Sequence, residues 1–559
     1  MEEEQKDNFI DRRRYSSSHK SNNSSKNLSN IISNSINSTS DNKRYQNSKF
    51  QSSVNNKKLE NNVNYNNNIS AKINHLNDQK QMNAAILVLG DLNRSPRMLN
   101  HAKAISNLFT NINEVSIIGY NGGDVRQDIV LDENIKLYYL GFNFFNRLFK
   151  SLPRCMFMFI AFFKIIIQML SLIYMLLFQI PKPKFIILQN PPGIPTMLVC
   201  LIVCYLRNIV FVLDWHNYGY SILKVNKRNK LICYIAYLYE YVLGRFSCVN
   251  LAVSEAMKSD LAVNFNIKNT ISLPDKPLLY NNNNNYHSKN LNKSNYNGFN
   301  CCRLDFKEVF GLFAKYSSNF KVGDFLRPIP GSKTNELTWQ ENRPMLLMSS
   351  TSWTPDEDFN MLLESIIEID KLLHLRYNYT NDELNNINKL NRFANKSKAM
   401  NYLIITGKGP LKEAFITKAN NAKLKYFEIK TLWLDSDDYP KLLSAVDLGI
   451  CLHYSSSGID LPMKVVDMFA AGLPVLAIEY PTIHELVKNN KNGLLFKDKK
   501  DLTEILSDKI IEFHEKGKSK QLELMRLEIK NEFLNKNHNN WISQWEDKLL
   551  PLLIQKIKH

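Results

Sequence analysis

Short uninterrupted apolar runs recur along the chain and are separated by amphipathic stretches. Such runs are typical of parallel strands buried on both faces, and their alternation with helices predicts doubly wound α/β sheets. In the first half of the chain they begin at Ala84, Val115, Phe185, Ile209 and Asn250. In the second half they begin at Met345, Tyr402 and Asp447. We therefore expect two Rossmann-like α/β domains that face each other across a ligand cleft.

Two polar segments divide the chain. Residues 1–82 are dominated by Asn, Ser and Lys, and they have too few apolar side chains to offset the entropy of ordering. Residues 281–342 begin with an Asn-rich low-complexity run. The expected organisation is a disordered tail at 1–82, a first domain at 83–280, a variable connection at 281–342 and a second domain at 343–559.

One hydrophobic stretch, residues 155–180, is nearly long enough to cross a bilayer. Lys164 lies inside it, and Arg154, Lys182 and Lys184 flank it. These charges favour a helix that lies in or re-enters the membrane surface over one that spans it. The alternative is a buried helix of a large domain.

The net positive charge of the chain indicates what class of partner it binds. The 559 residues carry a net charge of +18, which favours an anionic partner such as a phosphorylated substrate or a membrane surface. No zinc-finger spacing or RNA-binding aromatic signature accompanies the charge, so we expect no nucleic-acid partner. The 8 cysteines form no Cys-x-x-Cys pair, which fits a reducing compartment.

The richest candidate for chemistry is the segment from Ser455 to Val475, a small polar loop followed by a short helix and an apolar strand. The first amides of a helix bind anions, and Lys464 adds a cation there. Asp467 falls three residues later on the same helical face, where it can accept hydrogen bonds from sugar hydroxyls. Together with Ser456, Ser457 and Gly458, these two residues predict a clamp for a nucleotide diphosphate sugar. The alternative is an ordinary solvated helix start.

Several motifs occur in one order along the chain and carry a family resemblance. They are Gly90-Asp91-x-x-Arg94-Ser95-Pro96-Arg97-Met98, Gln189-Asn190-Pro191-Pro192-Gly193, Asp214-Trp215-His216-Asn217-Tyr218-Gly219, Ser349 to Phe359, Thr406-Gly407-Lys408-Gly409-Pro410, the segment around Lys464, and His484-Glu485-Leu486-Val487 with Asn492-Gly493-Leu494. Over residues 84–280 and 343–550 the chain closely resembles the chitobiosyldiphosphodolichol β-mannosyltransferases. These enzymes add the first mannose to the lipid-linked oligosaccharide.

The resemblance implies a GT-B fold, GDP-mannose as donor and GlcNAc2-diphosphodolichol as acceptor, with inversion to a β-1,4 linkage. It implies a location at the endoplasmic reticulum membrane, with the catalytic domains on the cytosolic face, and co-assembly with other early mannosyltransferases. Many relatives start with a transmembrane helix, whereas this chain starts with a polar tail. That departure shifts the expected membrane attachment onto residues 155–180.

An inverting transfer needs a base for the acceptor hydroxyl and positive charge for the departing diphosphate. Asp214 or His216 is the candidate base, although the pair could instead only orient its loop. Gly407, Lys408, Gly409 and Ser352 are expected to line the nucleotide pocket, with a plain turn as the alternative for the glycines. His453 and Glu485 are expected to contact the donor sugar. Gly90, Asp91 and Arg94 are expected to face the acceptor, with Arg94 on its diphosphate.

No Asp-x-Asp metal signature stands in a matching loop, so we expect no metal in the chemistry and no cofactor besides the donor substrate. Two other functions stay open at this point. One is a soluble nucleotide-sugar transferase with a different acceptor. The other is a non-catalytic membrane subunit that scaffolds other glycosyltransferases, against which the presence of both Lys464 and Asp467 counts.

Overall fold

The computed structural model of the protein describes most of the chain after residue 81. The described ranges are 82–141, 157–226, 228–277, 311–312, 315–316, 326–328, 337–339, 343–383, 400–435, 438–455, 457–534 and 540–558, and they belong to one compact unit, His75–His559. The predicted tail at 1–82 lies outside the described residues apart from Met82. Most of the predicted connection at 281–342 lies outside them as well. The described part of this connection contains a two-stranded antiparallel ladder, Leu326–Pro328 with Leu337–Trp339.

The first sheet has seven parallel strands in the spatial order β3-β2-β1-β4-β5-β6-β7. They are β1 (Met82–Asp91), β2 (Ile112–Tyr120), β3 (Ile135–Tyr139), β4 (Phe185–Asn190), β5 (Val210–Trp215), β6 (Val249–Ala252) and β7 (Thr270–Ser272). The apolar runs of the sequence form these strands because a strand with helices on both faces has no solvent side.

The second sheet has six parallel strands and repeats the same winding. With the ladder numbered β8 and β9, its spatial order is β12-β11-β10-β13-β14-β15. The strands are β10 (Leu346–Ser350), β11 (Asn401–Thr406), β12 (Phe427–Leu432), β13 (Leu448–Cys451), β14 (Val475–Ile478) and β15 (Gly493–Phe496). Both sheets are doubly wound, as predicted, and the winding reverses between β1 and β4 and between β10 and β13. Ligands of such sheets bind beyond the carboxyl ends of the strands at these reversal points.

Helices cover both faces of each sheet. In the first domain they are α1 (Pro96–Leu108), α2 (Gln127–Val130), α3 (Phe157–Tyr174), α4 (Thr196–Arg207), α5 (Gly219–Val225), α6 (Lys230–Leu243) and α7 (Glu255–Asn264). In the second they are α8 (Phe359–Glu383), α9 (Lys412–Asn421), α10 (Asp438–Ala445), α11 (Met463–Ala470), α12 (Lys499–Lys516) and α13 (Lys520–Ile529). Pro96 occupies the first turn of α1, where its missing N–H costs nothing.

The last helices, α14 (Trp541–Gln544) and α15 (Leu550–Lys558), return to the first domain. Trp541 Nε1 donates to the Asn100 carbonyl at 3.0 Å. Lys548 Nζ donates to the Ser272 carbonyl, also at 3.0 Å. The predicted second domain, 343–559, thus ends in a segment that packs on the first sheet.

The hydrophobic stretch is helical where the structure describes it; residues 155 and 156 lie outside the described residues. Helix α3 continues into a π-helical turn, Met175–Gln179. Leu172 and Leu176 are buried in the first domain, whereas Leu170 and Phe178 are exposed. The stretch is therefore one-sided and not a fully buried core helix. None of the helices that the structure describes is long and apolar enough to cross a membrane.

Candidate functional site

The candidate residues gather beyond the carboxyl ends of the strands at both reversal points. In the first sheet, Gly90 and Asp91 end β1, and His216 follows β5. In the second, Ser352 follows β10 and His453 follows β13. This is the edge at which doubly wound sheets bind ligands.

Lys464 lies in the first turn of α11 and is paired with a carboxylate. Its Nζ donates to Glu357 Oε1. The other oxygen, Oε2, accepts hydrogen bonds from Thr351 Oγ1 at 2.5 Å and from the Ser352 amide at 3.2 Å. The Glu357 side chain is only 1% exposed, whereas that of Lys464 is 25% exposed. Glu357 thus positions the ammonium of Lys464 while leaving part of it open to an anionic ligand.

The two glycines of the Gly407-Lys408-Gly409 loop are required by close packing. A Cβ on Gly407 would lie 1.7 Å from the Thr351 carbonyl oxygen, and one on Gly409 would lie 1.8 Å from that of Ser352. Gly407 also has a φ of 141°, which only glycine adopts without strain. The loop therefore presses directly on the Thr351–Ser352 backbone.

Lys408 is held over an aromatic ring. Its Nζ lies 3.9 Å from the centre of the Trp433 ring, and Trp433 is 53% exposed. A cation over an exposed indole at the end of β12 gives this edge of the sheet a charged and an aromatic surface together.

His453 lies between two carboxylates. Its Nδ1 is 3.0 Å from Asp356 Oδ2, and its Nε2 is 3.5 Å from Asp460 Oδ2. Burial opposes a charge on the imidazole, but the hydrogen bonds to Asp356 and Asp460 outweigh it and raise the pKa of His453 to about 9. His453 is therefore an imidazolium at neutral pH, one positive charge between two carboxylates on the donor side.

The small polar loop before α11 is internally bonded. The Gly458 amide donates to Ser455 Oγ at 2.8 Å, and its carbonyl accepts from Thr482 Oγ1 at 2.7 Å. Ser457 Oγ lies 3.4 Å from Ser455 Oγ. The Gly458 amide is thus already engaged and is not presented as a free donor for a diphosphate, in contrast to the sequence prediction. Ser456, predicted for the same role, lies outside the described residues.

Asp467 lies one turn after Lys464 on α11. Its half-buried carboxyl accepts no hydrogen bond from the described residues. Burial is the main cause that raises the pKa of Asp467 to about 7; the negative charge of Asp275 adds to it, and Arg126 opposes it. A half-buried carboxyl without a donor is suited to accept hydrogen bonds from ligand hydroxyls.

Asp214 is a buried ion-pair centre at the end of β5 and is fully inaccessible. Arg97 Nε and Nη2 donate to its two oxygens, each at 2.8 Å. His101 and His216 lie 3.1 and 2.8 Å from Oδ2. Burial favours the neutral acid, but the charges of Arg97 and His216 prevail and hold the pKa of Asp214 well below its usual range. Asp214 therefore lacks both the access and the basicity that a general base for a substrate requires.

His216 remains as the candidate base. Because the Asp214 carboxylate can only accept, His216 Nε2 carries the proton of that bond, so in the neutral form of the ring the lone pair is on Nδ1. The His216 side chain is 23% exposed. An imidazole that is oriented by a buried carboxylate and has one unprotonated nitrogen can take a proton from a hydroxyl.

Further residues hold Asp214 in place, namely Arg97, His101 and Trp545, and none of them was predicted from the sequence to do so. Trp545 Nε1 donates to His101 Nδ1 at 3.1 Å, so His101 donates to Asp214 through Nε2. Burial lowers the pKa of His101, in keeping with a neutral ring. Arg97 Nη1 also donates to Asp275 at 2.8 Å. The available signals were the i, i+4 spacings of Arg97 with His101 and of Trp541 with Trp545, which put each pair on one helical face.

The predicted acceptor residues lie around the start of α1. Arg94 is mostly exposed, with Nε 3.7 Å from Asp91 Oδ2, a weak surface pair. At Gly90 a Cβ would meet nothing closer than 3.6 Å, so space does not demand glycine there. Ser95 makes no side-chain cap to α1; its hydroxyl donates to the Asp91 carbonyl instead.

Glu485 joins the second domain to the first. Its two carboxylate oxygens accept from the Glu255 and Ala256 amides at 2.8 and 2.9 Å, at the start of α7 in the first domain. Nearby, Ser254 Oγ donates to the Ile459 carbonyl at 2.5 Å. Each oxygen thus already accepts one hydrogen bond in joining the two domains, and the expected donor-sugar contact of Glu485 stays a prediction.

Comparison with known proteins identifies relatives over most of the chain. A profile of the family described as glycosyl transferases group 1 matches residues 385–529. The chitobiosyldiphosphodolichol beta-mannosyltransferase of Dictyostelium discoideum is 38% identical over 76% of this chain and 83% of its own length. The human enzyme of that name is 33% identical over 84% and 92%. The UDP-glycosyltransferase TURAN of Arabidopsis thaliana is 32% identical over 86% and 98%.

Solved structures agree on the fold. A glycosyltransferase from Rickettsia africae superposes with a TM-score of 0.53 at 14% identity, covering 86% of this chain and 100% of its own. Anabaena Alr3699/HepE in complex with UDP and glucose gives a TM-score of 0.51 at 12% identity, covering 84% and 99%. With its two doubly wound sheets, the chain is a glycosyltransferase of the GT-B fold and belongs to the family of chitobiosyldiphosphodolichol β-mannosyltransferases.

Proposed function

We propose that this protein transfers mannose from GDP-mannose to the 4-hydroxyl of the terminal GlcNAc of GlcNAc2-diphosphodolichol, with inversion to a β-1,4 linkage. The observation that carries the proposal is the pairing of two devices at the reversal points of the sheets. His216, oriented by Asp214, lies at the reversal point of the first sheet. Lys464, positioned by Glu357, lies at that of the second sheet. The names of the relatives supply the acceptor.

In the proposed reaction the acceptor oxygen attacks the anomeric carbon while the bond to the donor diphosphate breaks. His216 Nδ1 takes the hydroxyl proton, and the buried Asp214 stabilises the imidazolium that forms. The electron pair of the breaking bond leaves with GDP, whose new negative charge faces Lys464 and the His453 imidazolium. Glu357 contributes by positioning Lys464.

The remaining donor and acceptor contacts follow the same geometry. Asp467 is proposed to accept from the ribose hydroxyls, while Ser352, Ser457 and the Gly407–Gly409 loop line the nucleotide pocket. Arg94 is proposed for the lipid-linked diphosphate. We assign neutralisation of the donor diphosphate to Lys464 and His453 and not to a metal. The transfer rate should therefore be unchanged by EDTA.

The protein is further proposed to work at the cytosolic face of the endoplasmic reticulum membrane, beside other early mannosyltransferases. Its acceptor would be a lipid of that membrane, and its free cysteines include Cys200 and Cys451 in the buried core, which suits a reducing compartment.

The Arabidopsis relative carries a UDP-glycosyltransferase name, so a UDP-sugar donor is the competing function. The test is nucleotide release by the purified full-length protein with a chitobiosyl-diphosphate lipid, using GDP-mannose and UDP-sugars in parallel. We expect release from GDP-mannose, and turnover of a UDP-sugar alone would overturn the donor assignment.

Lys464→Ala should lower kcat/KM roughly 100-fold, the usual effect of losing one group that stabilises a leaving charge. Lys520→Ala is the matched control, because Lys520 is an exposed lysine that also starts a helix of the second domain. Wild-type rates in Lys464→Ala would remove the proposed diphosphate site.

A further inference from the structure

Helix α6 presents an apolar face to solvent. Its only charged residues are Lys230 at its start and Glu240, which is buried. Successive turns of its outer face expose large apolar side chains. Their exposed fractions are 40–64%, at Leu231, Ile232, Tyr234, Ile235, Leu238 and Val242. A contiguous exposed apolar face of this kind marks an interaction surface, since soluble surfaces normally scatter such residues singly.

Helices α3 and α4 continue this face on the same side of the sheet. Their inner residues share one core with the first sheet. Arg207 of α4 donates to the Leu176 carbonyl at the end of α3 at 2.7 Å, and the Leu198 amide of α4 donates to Tyr239 of α6 at 3.0 Å. Their outward residues are again apolar and exposed: Leu170, Tyr174, Phe178, Ile202, Tyr205 and Leu206.

The charge around these helices has one sign. Residues 134–243, which end with α6, contain twelve Lys and Arg but only two acidic residues, Asp214 and Glu240. Both acidic residues are buried, so the described surface of this segment is basic. Apolar side chains with basic flanks are the composition that binds the interface of an anionic bilayer.

We propose that the outer faces of α3, α4 and α6 form one membrane-docking face that lies in the headgroup region of an anionic bilayer. The sequence pointed only to residues 155–180; the structure adds two helices, of which α6 is the most apolar on its outer side. The proposal extends the proposed function by saying how the protein meets a lipid-linked acceptor.

The docking face is tied directly to the catalytic loops. Glu240, on the inner side of α6, accepts from Asn190 Nδ2 at 2.9 Å and from the Gly219 amide at 2.8 Å. Asn190 ends β4, and Gly219 follows the loop that carries His216. A bilayer against α6 would therefore lie beside the loops that receive the acceptor, so the acceptor diphosphate would enter along the membrane plane.

The test is vesicle flotation of the full-length protein with the triple variant Leu231→Glu, Ile235→Glu, Leu238→Glu. The probe is a phosphatidylcholine vesicle containing phosphatidylinositol, without any glycosyl acceptor. We expect the vesicle-bound fraction of the variant to fall about tenfold or more, equivalent to about 1.4 kcal/mol. Binding of the wild type should weaken with salt and with neutral vesicles.

The matched control is Leu524→Glu, Leu527→Glu on α13, two leucines of similar exposure in the second domain. It should float like the wild type. Flotation of the triple variant equal to wild type would overturn the proposal. The proposal would also be overturned if the triple variant floated like the wild type but had a smaller particle mass by light scattering. That result would show that the face binds a protein and not a bilayer.

Activity on a short-chain, detergent-soluble acceptor separates this proposal from the proposed function. The triple variant should keep wild-type turnover on that substrate, because Leu231, Ile235 and Leu238 are outside the candidate site. Loss of flotation with full activity supports the docking face, whereas an inactive wild type that still floats would sink the proposed function alone.

Discussion

At the scale of single residues, the environment of a group decides its role more than its type does. Asp214 and His216 are two residues apart in the sequence and equally plausible bases there. The structure separates them, because Arg97 fixes the charge of Asp214 in the interior while His216 keeps partial access to solvent. A buried carboxylate that orients an exposed histidine is a familiar way to prepare a general base.

His216→Gln should therefore lower kcat by roughly 10²–10⁴-fold, the usual contribution of a general base. The affinity for GDP should be unchanged, because the donor side lies in the other domain. The measurement is steady-state transfer together with GDP binding by calorimetry. Asn217→Ala, at the neighbouring position, is the control for disturbance of the loop. A variant that keeps its kcat, or loses GDP binding as well, would contradict the assignment.

Asp467 offers a test through pH. Its pKa is raised to about 7 mainly by burial, well above the value of about 4 expected for an unfolded chain. The contribution of the neutral form to stability is therefore complete below pH 4 and is lost as the pH rises through 7. At pH 8 the native protein carries an unfavourable half-buried charge at Asp467, which the Asn variant does not.

Asp467→Asn should raise the Tm at pH 8 by about 2–4 °C and leave it unchanged at pH 4, as measured by scanning calorimetry. The same variant should raise the KM for the donor, because Asn offers the ribose hydroxyls a weaker acceptor. Asp508→Asn, at an exposed position of α12, is the control. A Tm that falls at pH 8 would show that Asp467 has a structural partner, whereas a donor KM equal to wild type would contradict the proposed ribose contact.

At the scale of elements, apolar runs predicted many of the strands, but β3, β7, β12 and β15 were not among them. The run from Ala84 lies in β1, the run from Phe185 begins β4, and the run from Tyr402 lies in β11. Helix starts follow less directly from the local sequence: Ser254 caps α7 through the Met257 amide, whereas Ser95, which also precedes a helix, does not cap α1. Strand patterns depend on burial over many residues, while a cap depends on one rotamer.

The placement of Lys464 and Asp467 on one helix, α11, could be predicted because a single local segment carries both. Site residues were missed where the partner is distant. Glu357 meets Lys464 across 107 positions, and Trp545 meets His101 across 444. No local pattern in residues 540–558 says which sheet they will cover, so their return to the first domain and their support of His101 could be found only in the folded chain.

At the scale of the whole molecule, Glu485 and Ser254 join the two domains through polar contacts near the site. Glu485 caps the start of α7, and Ser254 bonds the Ile459 carbonyl beside the donor loop. A carboxylate at a helix N-terminus is worth about 0.3–1 kcal/mol. Contacts of this strength can hold a closed arrangement and still release it, as a transferase that must exchange substrates requires.

Glu485→Gln should therefore shift the protein towards a more open arrangement with little change in global stability. Gln keeps the shape of the side chain but loses the charge that faces the helix dipole and one of the two accepting oxygens. We expect a larger radius of gyration in solution scattering and a lower kcat, with a Tm close to wild type. Glu523→Gln, in the first turn of α13, is the control for charge loss at a helix start.

The same variant distinguishes the closure role from a donor-sugar contact. If Glu485 bound the sugar, the variant would lose affinity for GDP-mannose but not for GDP, and its radius of gyration would match wild type. If it joins the domains, the affinities for GDP and GDP-mannose should fall by the same factor, because both ligands depend on closure and neither touches the side chain. Comparing the two affinities thus tests a domain contact that joins residues 230 positions apart in the sequence.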